Sequence, residues 1–131
     1  MGLDNSIEVK RNAYTNSIPE LKRFEEIWDT KREYDFTIAD FRKCYNVRHM
    51  VFNAIKHAYD NDISAPLSID DVGNIIKGLQ SFNSRNWQER GGSIWHWDEY
   101  KDHVKQSIKN LQLLVKLMKK YDLEVYFYDS Y

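Results

Sequence analysis

The chain is 131 residues long, enough for one domain with its own core, and at 42% hydrophobic and 15% aromatic it is too apolar to stay disordered. Its 19 Lys+Arg against 20 Asp+Glu leave a net charge of -1, so no bulk field argues for wrapping nucleic acid and only a local basic patch stays open. A single cysteine, Cys44, excludes an intramolecular disulfide, no Cys/His spacing suits zinc, and no apolar run nears the ~20 residues that cross a bilayer.

The first residues show no charged start followed by an apolar run, so no signal peptide is expected and the cytoplasm is the expected location. After Asn5, Ile7 and Val9 alternate with Glu8 and Lys10, the period of a half-buried strand. Residues 17–34 place Ser17 before Pro19, then Leu21, Phe24, Ile27 and Trp28 at helical spacing, which predicts a short amphipathic helix. A long helix is expected from Thr37 to about Asn61, with Thr37 as N-cap and Asp40 three residues on. Its apolar stripe is Ile38, Phe41, Tyr45, Phe52, Ile55 and Tyr59. The run "DNDISAPLS" breaks it. Ser68 then caps a further helix, with Asp70 and Asp71 in the first turn and Val72, Ile75, Ile76 and Leu79 on its apolar face. Residues 82–96 read as loop, and a last helix runs from about Asp98 to Tyr121. The closing "LEVYFY" alternates as a strand with only the N-terminal one to pair with. These elements predict an α+β fold: a helix-dominated single domain over residues 1–131, three to four helices packed with a small sheet of the N- and C-terminal strands.

Arg48 falls in the middle of the stripe of the expected long helix, and its helical neighbours Cys44, Tyr45, Val51 and Phe52 are uncharged. Burying it unpaired would cost about 3–5 kcal/mol, so it must meet either an anion or an acid of the chain. Asp4, Glu8, Asp98 and Glu99 are the acids considered, with Asp4 taken as the partner in a structural ion pair. Beside the stripe, Arg42, Asn46, His49, Asn53 and Lys56 form a ladder of donors without a carboxylate, suited to phosphate or carboxylate.

The "WHWDEY" segment sets Trp95, His96, Trp97 and Tyr100 at a loop–helix junction as an aromatic wall. Trp97 and Tyr100 continue the stripe of the last helix, whereas Trp95 and Trp87 are less easily buried. Aromatic surface beside arginine suits a nucleotide, whose base stacks while its phosphate meets the fork; it also suits a protein interface. His96, Glu99 and His103 recur at spacings of three and four, but no fourth ligand joins them, so no metal site is expected. Cys44 lies on no nucleophile elbow and "ERGGSI" is a weak phosphate cradle, so the chain is read as a non-enzyme without a cofactor.

Four stretches stand in order along the chain: "MGLDNSIEVKR", "DFRKCYNVRHMVF", "GGSIWHWDEYKDHVKQSIKNL" and "EVYFYDSY". Together they resemble a group of small phage and prophage proteins that begin Met-Gly-Leu-Asp and carry an aromatic-Arg-Lys helix. The resemblance covers most of the chain apart from residues 12–33. It maps the group's Arg-Lys pair to Arg42 and Lys43 and its initial Gly-Leu-Asp to Gly2, Leu3 and Asp4. Where the group places Asn and His after that pair, this chain has Tyr45 and Arg48. The resemblance implies a phage or prophage origin, and so a bacterial host cell, but no chemistry.

The expectation is therefore a phage or prophage accessory protein for counter-defence or host takeover that works by binding. An anionic, nucleotide-like small molecule would sit between Arg42, Lys43, Tyr45, Arg48 and His49 on one side and Trp95, His96, Trp97 and Tyr100 on the other. The alternative is a protein–protein inhibitor of a host or defence enzyme; a small hydrolase has only the histidines and scattered carboxylates in its favour. No membrane partner is expected, and Tyr126, Tyr128 and Tyr131 on the polar side of an edge strand suggest contacts of a homodimer.

Overall fold

A computed structural model describes residues 4–28, 35–41, 43–55, 64–88 and 95–130, with the side chains of residues 4, 26–28 and 130 outside that description. In chain order the elements are β1 (Asp4–Val9), α1 (Ala13–Asn16), α2 (Pro19–Trp28), β2 (Phe36–Asp40), α3 (Tyr45–Ala54), β3 (Ser64–Pro66), α4 (Ile69–Gln80), α5 (Trp97–Lys120) and β4 (Val125–Ser130). The fold is α+β and helix-dominated, and the terminal strands do pair with each other. The sheet is larger than two strands. It is antiparallel, in the order β2-β1-β4-β3.

The alternation in β1 and β4 explains the central pair. Ile7 lies opposite Phe127 and Val9 opposite Val125, and these four side chains are buried in the main core. The other face carries Ser6 and Glu8 opposite Tyr128 and Tyr126. Both flanking strands go beyond the expected two-stranded sheet: β2 overlaps the start of the expected long helix, and β3 lies within the run expected to break it. Phe36, Thr37, Ile38 and Ala39 are all buried, so β2 is covered on both faces and shows no alternation to read. Thr37 is therefore a strand residue and not a helix cap.

The chain turns between β2 and α3, where Lys43 adopts a left-handed backbone with φ of 54°. α3 then occupies only Tyr45–Ala54; residues 56–63 lie outside the described residues. β3 adds a short strand on the far side of β4, so β4 is interior and its tyrosines do not lie on a sheet edge. Tyr126 instead donates its hydroxyl to the Asp35 carboxylate, and Tyr131 lies outside the described residues.

The outer strand β2 is closed off by α5. Asn110 Nδ2 donates to Ile38 O at 3.0 Å, and His103 Nε2 donates to Asp40 O at 2.5 Å, so side chains of the helix satisfy carbonyls that a further strand would use. α4 begins as its sequence predicts. Ser68 Oγ accepts from Asp71 N at 3.1 Å while the Asp71 carboxylate accepts from Ser68 N at 3.0 Å, a reciprocal capping box. α4 packs between α3 and α5, burying Val72, Ile75 and Leu79.

Candidate functional site

Two features flank the point where β2 passes into α3. The first is the arginine in the apolar stripe. α3 turns Val47 and Val51 inward behind the buried N-cap Cys44, which puts Arg48 beside the core with 14% of its side chain exposed. Its Nε reaches both oxygens of Asp129, at 2.9 and 3.0 Å, and its guanidinium lies 4.5 Å from the centroid of the Phe52 ring. Asp129 is buried in β4 and also accepts from Asn5 Nδ2 at 2.5 Å, across the β1–β4 pair. Among the described residues, nothing hydrogen-bonds the buried Asn5 Oδ1.

The acid that holds Arg48 thus comes from the last strand. Asp4, the expected partner, has its side chain outside the described residues. Glu8 accepts from the Ser6 and Thr37 hydroxyls, Asp98 lies 3.7 Å from Lys101, and Glu99 lies 3.9 Å from His96.

The second feature is aromatic. Trp87, expected to resist burial, is in the core: its ring lies 5.2 Å from Phe82, 5.3 Å from Trp97 and 5.5 Å from Tyr100, and its Nε1 donates to Trp95 O at 2.8 Å. That bond fixes the chain just before α5. Trp95, just before the helix, then stacks on Tyr100 at 15° and 5.9 Å, and Tyr100 stacks on His103 at 29° and 4.7 Å, the latter two sharing a helix face three positions apart. His103 meets Phe41 edge-on at 6.2 Å, and its Nε2 must carry the proton that Asp40 O accepts.

These rings line a cavity of about 260 Å³ together with the acids Asp40 and Glu99. Burial pushes the Tyr100 phenol well above its ordinary range, with the neighbouring Cys44 and Asp40 adding to the effect, so Tyr100 keeps its proton at neutral pH. The cavity offers flat apolar faces, carboxylate acceptors and a phenol that stays neutral.

The chain matches no family model, no curated protein and no solved structure.

The expected site residues therefore divide. Trp95 and Tyr100 come together in the cavity, and Trp97 packs behind them on Trp87. His96 is exposed beside Glu99 as the N-cap of α5, without a side-chain capping bond. Tyr45 and His49 lie on the solvent side of α3 with their rings 6.2 Å apart, and neither they nor Arg48 lines the cavity. Asn46 of the same ladder exchanges hydrogen bonds with the Gln88 backbone. Lys43 is half-buried in the turn and Arg42 lies outside the described residues.

Sequence reasoning missed Asp40 and never joined His103 to the aromatic wall. His103 could have been found from its i,i+3 spacing to Tyr100, whereas Asp40 was absorbed into the expected helix cap.

A wider cleft of about 620 Å³ lies between Lys10, Asp35, Leu67, Leu123, Glu124 and Tyr126. Its charges are already matched by the Tyr126–Asp35 hydrogen bond and a 3.4 Å Lys10–Glu124 pair, and no stacked rings line it. Among the described residues, no group of three or more His, Cys, Asp or Glu side chains is arranged to hold a metal ion, and no helix is long and apolar enough to cross a membrane.

Proposed function

We propose that the chain is a phage or prophage accessory protein, of the counter-defence or host-takeover kind, that acts by binding a nucleotide-like small molecule. The observation that carries the binding reading is the Trp95–Tyr100–His103 stack walling a cavity that also contains two carboxylates. A base enters against the stack and its polar edge meets the acids. At about 260 Å³ the cavity suits one ring system and not a whole dinucleotide. The anionic part of the ligand stays outside the cavity. Arg48 takes no part, since it is held by Asp129. The order of the four sequence stretches supports the phage origin.

A thermal-shift screen against nucleotides and cyclic dinucleotides tests this reading, with Trp95→Ala as the control. A nucleotide should raise the melting temperature of the natural chain and not of the variant. Loss of that response, together with stoichiometric recovery of one host protein in a pull-down, would favour the inhibitor reading. That second reading rests on α3, where the rings of Tyr45 and Phe52 are 38% and 39% exposed one heptad apart, with Arg48 between them.

A further inference from the structure

We infer that the exposed face of α5 is a docking surface for the phosphate backbone of double-stranded DNA, held without regard to base sequence.

The last helix is segregated by charge. Its acids, Asp98, Glu99 and Asp102, lie in the first two turns, and from His103 to Tyr121 there is no Asp or Glu. Turned at about 100° per residue, Lys101, Lys105, Lys109, Lys116, Lys119 and Lys120 fall within one arc of about 100°. That arc lies opposite the buried Tyr100, Val104, Leu111 and Leu114. All but Lys101 are exposed. The two ends of the row are matched, Lys101 lying 3.7 Å from Asp98 and Lys120 lying 3.7 Å from Glu20. Among the described residues, no carboxylate pairs with Lys105, Lys109, Lys116 or Lys119, so the middle of the face carries unmatched positive charge.

Helix stability does not ask for this arrangement. Lys119 and Lys120 complement the negative end of the helix dipole, but Lys105 and Lys109 stand near the middle. Lys101 and Lys105, Lys105 and Lys109, and Lys116 and Lys120 are like charges four residues apart, which repel. A glutamate at position 105 would pair with both neighbours. The whole chain holds 19 Lys+Arg against 20 Asp+Glu, so the gathering of lysine on one face is a matter of placement and not of composition.

The makeup of the arc selects the partner. Lysines four apart rise about 6 Å along the axis, and Lys105 to Lys120 span about 22 Å, a straight row of point charges. Protein interfaces deplete lysine and favour Tyr, Trp and Arg, none of which stands on the arc. A helix lying in a membrane surface needs an apolar face to insert, and that of α5 is buried in the core. Single strands are held by stacking rings, whereas Trp97 and Tyr100 of α5 are packed on Trp87 on the other side. A duplex asks only for cations along its phosphates. The major groove of B-form DNA admits a helix, and the deep, narrow groove of A-form RNA does not. The arc offers a single amide, Gln112, and no arginine, and Asn110 is turned inward to Ile38 O, so the contact is with phosphate and not with base sequence.

Fluorescence anisotropy with a labelled mixed-sequence DNA duplex, in a salt series, tests the inference. Duplex RNA, single-stranded DNA of the same length and vesicles of phosphatidylserine and phosphatidylcholine run beside it. Duplex DNA should bind most tightly, and its affinity should fall about 150- to 500-fold over a fourfold rise in salt, the loss for about four to five phosphates. Lys105→Gln/Lys109→Gln/Lys116→Gln should lower the slope of log affinity against log salt by about 3. Lys10→Gln/Lys22→Gln/Lys77→Gln takes the same charge from beside β1, from α2 and from α4, and should leave that slope in place. Circular dichroism of both triple variants checks that the helices are intact. An equal loss in the two variants would overturn the assignment to α5. Tighter binding of RNA, single strand or vesicles would overturn duplex DNA as the partner, and no duplex binding at low salt would overturn the surface altogether. None of these outcomes bears on the nucleotide cavity, which the thermal-shift screen tests separately.

Discussion

Arg48 on α3 and Asp129 on β4 lie 81 residues apart in the chain and meet through Nε contacts to both carboxylate oxygens, at 2.9 and 3.0 Å. Asp129 is 1% exposed, and Asn5 also donates to it from the neighbouring strand. The pair ties a helix to the two central strands at one end of the sheet.

Arg48→Met should cost about 3–5 kcal/mol of stability, because it strands a buried carboxylate. The double variant Arg48→Met/Asp129→Asn should recover much of that loss, since the amide can still accept from Asn5 and carries no charge. Chemical denaturation of wild type, the single variants and the double variant gives the coupling. A single Arg48→Met variant as stable as wild type would remove the pair from the account of the fold.

The covered edge of β2 gives a second test. Asn110→Leu keeps the branched shape but withdraws the donor from Ile38 O, and should cost about 1–3 kcal/mol for the unsatisfied buried carbonyl. Hydrogen exchange should show faster opening of β2 than of β4 in that variant.

Tyr100 makes stability depend on pH in alkaline solution. Its pKa is raised in the folded state, so the unfolded chain releases the phenol proton first, near pH 10. The contribution is fully present below that pH and is lost as pH rises beyond it. Denaturation followed on the alkaline side should fall less steeply in Tyr100→Phe than in wild type. Parallel slopes would mean that Tyr100 ionises freely in the folded protein.

The two glycines of α4 should respond differently to alanine. A methyl at Gly73 meets nothing within 4 Å, so Gly73→Ala should stabilise by about 0.5–1 kcal/mol. A methyl at Gly78 would fall on Sδ and Cγ of Met50, which sits partly buried between α3 and α4. Gly78→Ala should lose that gain, and Met50→Ala should be less costly in the Gly78→Ala background than alone.

Much of the fold is legible residue by residue. The alternation of Ile7 and Val9, and of Val125 and Phe127, places β1 and β4; Ser68 and Asp71 mark the start of α4; and the stripe holding Tyr100, Val104 and Leu111 places α5. β2 is not legible, because burial on both faces erases its period and its four apolar or small residues run on into the helical pattern of α3. The turn after it has no glycine or proline to announce it; Lys43 takes the left-handed conformation instead.

The site is half legible for the same reason. Trp95 stands two residues before α5 and Tyr100 in its first turn, so their wall follows from closeness in sequence. Asp40 and Asp129 reach their partners through the sheet, and charge alone did not distinguish Asp129 from Asp4, Glu8, Asp98 or Glu99 as the acid for Arg48.

The β1–β4 pairing sets a timetable for folding. A ribosome releases residues 4–9 long before residues 125–130, so during synthesis β1 waits with one side unpaired and Arg48 waits without its acid. Helices α4 and α5, built from local contacts, can form meanwhile. The sheet closes late, in a single event that joins the first strand to the last, and a transcript cut short by a handful of codons should yield a chain that reaches every helix and completes none of the centre.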